Sequence, residues 1–151
     1  DPSCVKSRTG YVITFADCPV LWQSKLQTET VLSTMEAEII SLSHSCRVLF
    51  PICDMTQALG KAVGLPIGET TIKVSIHQDN AGVLVLAQTL MPQFTPRSKH
   101  YAAKTIWFCE EIFKRRIKLL KIETVEQLGD MFTKRLPRKT FEYLRLKLIG
   151  W

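Results

Sequence analysis

No apolar run in the chain approaches the roughly 18 residues that a membrane-spanning helix needs, and the opening Asp1-Pro2-Ser3-Cys4 lacks the basic-then-apolar layout of a secretory leader. The expectation is a soluble, intracellular protein of the cytoplasm or of a virus-like particle. No two cysteines stand as a Cys-x-x-Cys pair. The five present, Cys4, Cys18, Cys46, Cys53 and Cys109, are odd in number, so neither a disulfide framework nor a zinc knuckle is indicated and free thiols are expected. Internal repeats, linkers and low-complexity stretches are missing too, which points to one α/β domain over residues 1–151. With 46% hydrophobic and 23% charged residues in 151, the composition is that of a folded domain with a workable core.

What the chain does have is an uneven positive charge. The formal net charge is +6, and from Arg97 onward basic residues outnumber acidic ones, whereas the first two-thirds is slightly acidic. A cationic tail of this kind suits a polyanion such as nucleic acid. A solvated face that serves solubility is an equally ordinary cause.

Along the chain, Gly10 to Lys25 is two β-rich runs divided by Asp17-Cys18-Pro19, the pattern of a hairpin. Thr34 to Phe50 puts Met35, Ile39, Leu42, Cys46 and Leu49 at helical spacing, with Ser33 or Thr34 as cap. Pro51 should kink or end this helix, and a second one is expected from Ile52 to Ala62 before Gly64-Leu65-Pro66-Ile67-Gly68 breaks the pattern. Thr71 to Gln78 alternates as a half-buried strand. A short helix over Ala81 to Leu90, a loop between Pro92 and Pro96, an amphipathic helix over Tyr101 to Arg116 and a strand over Ile117 to Ile122 follow. Thr124-Val125-Glu126-Gln127 has the form of a capping box, opening a helix through Asp130 to about Lys134. Lys139 to Leu148 closes the chain as a helix.

Three carboxylates stand out on this scaffold. Glu36 lies three and four residues before Ile39 and Ile40 and so shares a stripe with core positions, whereas Glu38 shares one with Ser41 and Ser45 on the expected wet side. Helix-dipole stabilisation of a first-turn glutamate is the plain alternative for Glu36. Asp79 ends a strand and leads into a helix, where α/β sheets carry functional groups, and capping by Asp79 or Asn80 is the plain alternative there. Asp130 occupies a helical position for which aspartate has poor propensity, and an i,i+4 pair with Lys134 accounts for it equally simply. Together they suggest a mixed sheet with carboxylates on separate elements, the oxygen-rich setting that a hard divalent cation prefers.

Several blocks stand in a fixed order: Ser7 to Ile13, Val20 to Gln27, Leu32 to Ser43, Gln78 to Leu84, Arg97 to Glu110 and Glu126 to Leu136. In residue type and spacing they resemble the RNase H domain of copia-type LTR-retrotransposon polyproteins, and the resemblance spans essentially the whole chain. It implies an RNase H-like fold, a mixed β-sheet flanked by helices, and hydrolysis of the RNA strand of RNA–DNA hybrids by two Mg²⁺ or Mn²⁺ ions. By position, Glu36, Asp79 and Asp130 would be three of the family's four acidic ligands. Asn80, Arg97, Lys99 and Lys134 would contact the hybrid, on phosphate and sugar rather than base edges. His100 matches a histidine of the family pattern and reads as structural. Reverse transcriptase and other polyprotein segments are the implied partners.

The chain also departs from the family. Asp1-Pro2 aligns with the end of the block that carries the first catalytic aspartate, so that residue and its strand are expected upstream of residue 1, supplied by another segment or chain if at all. Ala102-Ala103 replaces an acidic pair position, and Pro51 interrupts a helix that runs on in relatives. The rival expectation is therefore a non-catalytic RNase H-like module that binds nucleic acid or a neighbouring segment through its basic C-terminal third.

Overall fold

The computed structural model describes residues 6–31, 33–68, 71–88 and 102–151. Within them the chain runs β1 (Arg8–Phe15), β2 (Cys18–Leu26), α1 (Thr34–Ala62), β3 (Ser75–Gln78), α2 (Ala81–Gln88), α3 (Ala102–Lys114), β4 (Lys118–Lys121), two 3-10 turns (Thr124–Glu126 and Leu128–Phe132) and α4 (Arg138–Ile149).

The hairpin forms as its sequence predicts, with Val12 opposite Trp22 and Phe15 opposite Cys18. Its turn is tighter than the pattern suggests, since only Ala16 and Asp17 lie between the strands, at φ 49° and 62°. Two successive left-handed residues match the right-handed twist of the strands, a geometry that normally selects Asn-Gly. The register slips between Ile13 and Thr14, opposite Pro19, and such an irregularity accommodates a residue without a backbone N–H.

Ser33 is the cap of α1, its extended backbone letting Oγ accept from the Glu36 N–H at 3.1 Å. Pro51 does not end this helix, which continues to Ala62. A proline there removes one backbone bond at a cost of about 3 kcal/mol, and packing on either side of it offsets that loss. Cys46 and Phe50 are buried in the core ahead of the next turn, the Phe50 and Trp107 rings lie 5.6 Å apart, and Arg115 grips Asp54 at 2.6 and 3.2 Å beyond Pro51. Gly64, at φ 75°, then stops α1 through Gly64 N–H to Lys61 O and Leu65 N–H to Gly60 O bonds, the pairing that a left-handed residue after a helix allows.

The core lies where α1, α2 and α3 meet, with Ile39, Leu42, Cys46, Phe50, Val83, Ala87, Phe108, Ile112 and Ile117 buried together and Val74, Ile76 and Leu119 packed against them. In α3 the buried stripe is Thr105, Phe108 and Ile112, while Phe113 turns outward. Burial pushes the thiols of Cys46 and Cys109 up to about 12 and about 11. The four described cysteines are free, and Cys4 lies outside the described residues.

The expected mixed sheet is divided. Among the described residues β1 pairs only with β2, antiparallel, and β3 only with β4, parallel. The predicted strand over Thr71 to Gln78 shortens to β3 because β4 offers four residues to pair with. The predicted helix from Thr124 is replaced by the two 3-10 turns. Gln127 is extended between them, and its side-chain oxygen accepts from the Gly129 N–H at 3.3 Å, so the capping box is not made. The helices predicted from Ala81 and Tyr101 reach, in part, outside the described residues, as does the loop between Pro92 and Pro96.

Candidate active site

Three elements bring acidic side chains to one place. Asp79 follows the carboxyl end of β3 at a half-buried position. Asn80 takes the capping role, its Oδ1 accepting from the N–H groups of Gly82 and Val83 at 3.0 and 3.2 Å. Asp79 therefore stands at the strand–helix junction without being the cap of α2. Gln78, buried beside it, accepts from the Asp79 and Asn80 N–H groups at 2.9 and 3.2 Å through Oε1 and hydrogen-bonds the carboxyl of Glu38.

Asp130 comes from the second 3-10 turn and is 7% exposed. Two contacts fix that turn. Gly10 of β1 lies so close that a β-carbon there would meet Thr133 Cγ2 at 2.5 Å and the Phe132 backbone carbon at 2.9 Å, and Ser24 Oγ donates to Phe132 O at 2.6 Å. On the other side Gln127 Nε2 reaches His77 O of β3 at 3.4 Å. The turn thereby bridges the two sheets. Lys134, one helical turn further on, places Nζ 2.9 Å from each Asp130 carboxylate oxygen.

Glu38 completes the group. Burial raises its carboxyl above the ordinary range, Asp79 and Asp130 raise it further, and Lys134 and Gln78 act in the opposite sense. At Lys134 burial opposes the charged form, but the hydrogen bond and charge of Asp130, together with Asp79 and Glu38, raise the ammonium overall. Glu38 and Lys134 thus both respond to Asp79 and Asp130, residues drawn from separate elements. Glu38, expected on the wet side, is half-buried. Its stripe runs on to Leu42 and Cys46, four and eight residues later and both buried, a signal the sequence carried.

Glu36 is buried, as its own stripe predicts, on the first turn of α1. Two residues along a helix is about 200° around its axis, so Glu36 and Glu38 leave α1 on nearly opposite sides. Asn80 is occupied as the cap of α2. Arg97 and Lys99, the other expected hybrid contacts, lie outside the described residues, as does His100.

Three carboxylates are hard oxygen donors suited to Mg²⁺ or Mn²⁺, and Lys134 is paired with one of them, Asp130. The oxygens are not drawn onto one point, since among the described residues no three His, Cys, Asp or Glu side chains are grouped as metal ligands. The donor chemistry fits, and the fit requires Lys134 to give way.

Sequence comparison relates this chain to much longer proteins. It is 32% identical over 145 residues, 96% of its length, to the retrovirus-related Pol polyprotein from transposon TNT 1-94 of Nicotiana tabacum, of which it spans 10%. It is 29% identical over 94% of its length to the Pol polyprotein from transposon RE2 of Arabidopsis thaliana, and 28% identical over 95% to the Ty1-DR1 Gag-Pol polyprotein of Saccharomyces cerevisiae, spanning 9% and 8% of these. The chain belongs to the copia- and Ty1-type Pol polyproteins, as one segment of such a protein. No family model matches the chain, and no solved structure matches it. Among the described residues no helix is long and apolar enough to cross a membrane.

Proposed function

We propose that this segment is the RNase H-type endonuclease of its Pol polyprotein, a single RNase H-like domain that hydrolyses the RNA strand of RNA–DNA hybrids inside the cell or particle that carries the element. What supports this reading is the electrostatic influence of Asp79 and Asp130 on Glu38, with Asp130 paired to Lys134 at 2.9 Å, which draws on α1, the end of β3 and the second 3-10 turn. The three carboxylates would hold the divalent ions, with Glu38 taking the place expected of Glu36. Bound about 4 Å apart, two such ions activate a water and stabilise the leaving oxygen of a phosphodiester. Gln78 orients Glu38 and the backbone entering α2, and Asn80 fixes the start of that helix beside Asp79. Binding follows duplex shape and the 2′-hydroxyl rather than base sequence.

A non-catalytic nucleic-acid-binding module is the second reading, favoured by the ion pair that Lys134 makes with Asp130. The basic Lys114-Arg115-Arg116 run gives it little support, because Arg115 is engaged by Asp54 and Glu111 at 2.6 and 2.9 Å.

The test is cleavage of a labelled RNA–DNA hybrid with Mg²⁺ or Mn²⁺, and with a chelator as control, by the chain alone and by the polyprotein that carries it. Metal-dependent loss of the RNA strand that disappears in Asp79→Asn is expected. Hybrid binding without cleavage in either form favours the second reading.

A further inference from the structure

Lys134, an expected phosphate contact, pairs with Asp130 at 2.9 Å. Nζ is held 2.9 Å from both oxygens of Asp130, a carboxylate only 10% exposed, while half of the lysine side chain remains open to solvent. Asp79 and Glu38 act on the same ammonium. The backbone supports this placement, because the Lys134 N–H donates to Asp130 O at 3.0 Å and the Thr133 N–H to the same oxygen at 3.2 Å, which curls the chain so that residue 134 returns over residue 130. A monovalent charge on a flexible four-carbon stem, rooted four residues from its partner, is retained by proximity and is readily exchanged.

We propose that Lys134 is a tethered counter-ion that occupies the carboxylate cluster in the metal-free protein and swings out when a divalent cation enters. The inference rests on the reading that Glu38, Asp79 and Asp130 take such a cation. Two consequences follow from charge alone. Without Lys134, Glu38, Asp79 and Asp130 lose the cation that acts on them among the described residues, which weakens the metal-free fold and strengthens the pull on any external ion. With Lys134, a cation must displace an ammonium before it binds, and the freed ammonium, on its exposed stem, becomes available to a phosphate in the same step. Cation entry and substrate capture are thereby coupled through one side chain.

The experiment is Mn²⁺ binding followed by electron paramagnetic resonance on the full chain, comparing the wild type with Lys134→Met and Asp79→Asn. Lys134→Met should bind Mn²⁺ about tenfold more tightly, a modest share of the effect of removing one unit charge at contact range. It should also melt at a lower temperature without metal and gain more from added Mn²⁺ than the wild type does. Equal or weaker binding by Lys134→Met, with Asp79→Asn still impairing binding, overturns the counter-ion role and leaves the cation site standing. Binding that is insensitive to Asp79→Asn, or absent from wild type and Lys134→Met alike, overturns the cation reading and this proposal with it. Should Lys134→Met fail to fold, the lysine Cε resonances of the wild type decide the matter. Displacement moves the Lys134 signal on Mg²⁺ titration, and an unmoved signal at saturating Mg²⁺ overturns the proposal.

Discussion

The two halves of this molecule bury apolar side chains to different extents. The α1, α2 and α3 core with β3 and β4 buries Ile39, Val83 and Phe108 completely. The hairpin, the 3-10 turns and α4 bury Tyr11 and Leu144 and are joined further by individual polar contacts. These include Ser24 to Phe132 O, Gln127 to His77 O, and the grip of Tyr143 and Lys147 on Glu126. This second half leaves Phe15, Trp22 and Phe141 exposed. The carboxylate cluster straddles the seam. Glu38 and Asp79 belong to the packed half, Asp130 and Lys134 to the polar one, so the site can loosen while the core stays folded.

Phe108→Ala is expected to have the largest effect and to act on the whole fold. Phe108 is fully buried, and removing such a ring costs about 3–5 kcal/mol through lost burial and a cavity, which urea unfolding followed by far-UV circular dichroism measures. Loss of the hairpin alone, with the helices intact, would break the comparison in the wrong direction. Gly10→Ala should come next and act locally. The added methyl meets the Phe132 backbone and Thr133, and relieving that overlap costs about 1–3 kcal/mol. Hydrogen exchange should therefore speed up over residues 128–134 and remain slow in α1 and α3.

A third effect belongs to pH. The folded protein raises the Glu38 carboxyl, chiefly by burial, so the folded state holds its proton more tightly than the unfolded chain. The stability from this group is fully present below the unfolded pKa and is lost as pH rises through the folded one. Glu38→Gln should flatten that part of the stability–pH curve, read from melting temperatures between pH 4 and 7. An unchanged curve would remove Glu38 from the desolvated cluster. The smallest effect is expected at the hairpin tip, where Asp17→Gly relieves a left-handed residue and should stabilise the chain by less than about 1 kcal/mol.

How much of this was legible in the sequence follows the same division. Periodicity found α1, α3, the hairpin and the strands because each is defined by which side it buries, and Ser33 was readable as a cap from its position alone. Periodicity misjudged Pro51, since the contacts that carry α1 past it, Phe50 on Trp107 and Asp54 on Arg115, join residues far apart in sequence. It misjudged residues 124–134 for a local reason, because Gln127 spends its side chain on Gly129 and leaves the helix it was expected to open. Within the site, Asp79 and Asp130 were singled out from their places at the end of a strand and in a helical segment, and both act on the Glu38 carboxyl. Periodicity does not separate Glu36 from Glu38, because both sit on stripes that contain buried residues.

The most direct test of the account is hybrid cleavage by the polyprotein with Glu36→Gln and Glu38→Gln made separately, each shown to be folded by circular dichroism. The account expects metal-dependent cleavage to vanish with Glu38→Gln and to persist with Glu36→Gln. Full activity in Glu38→Gln would contradict it.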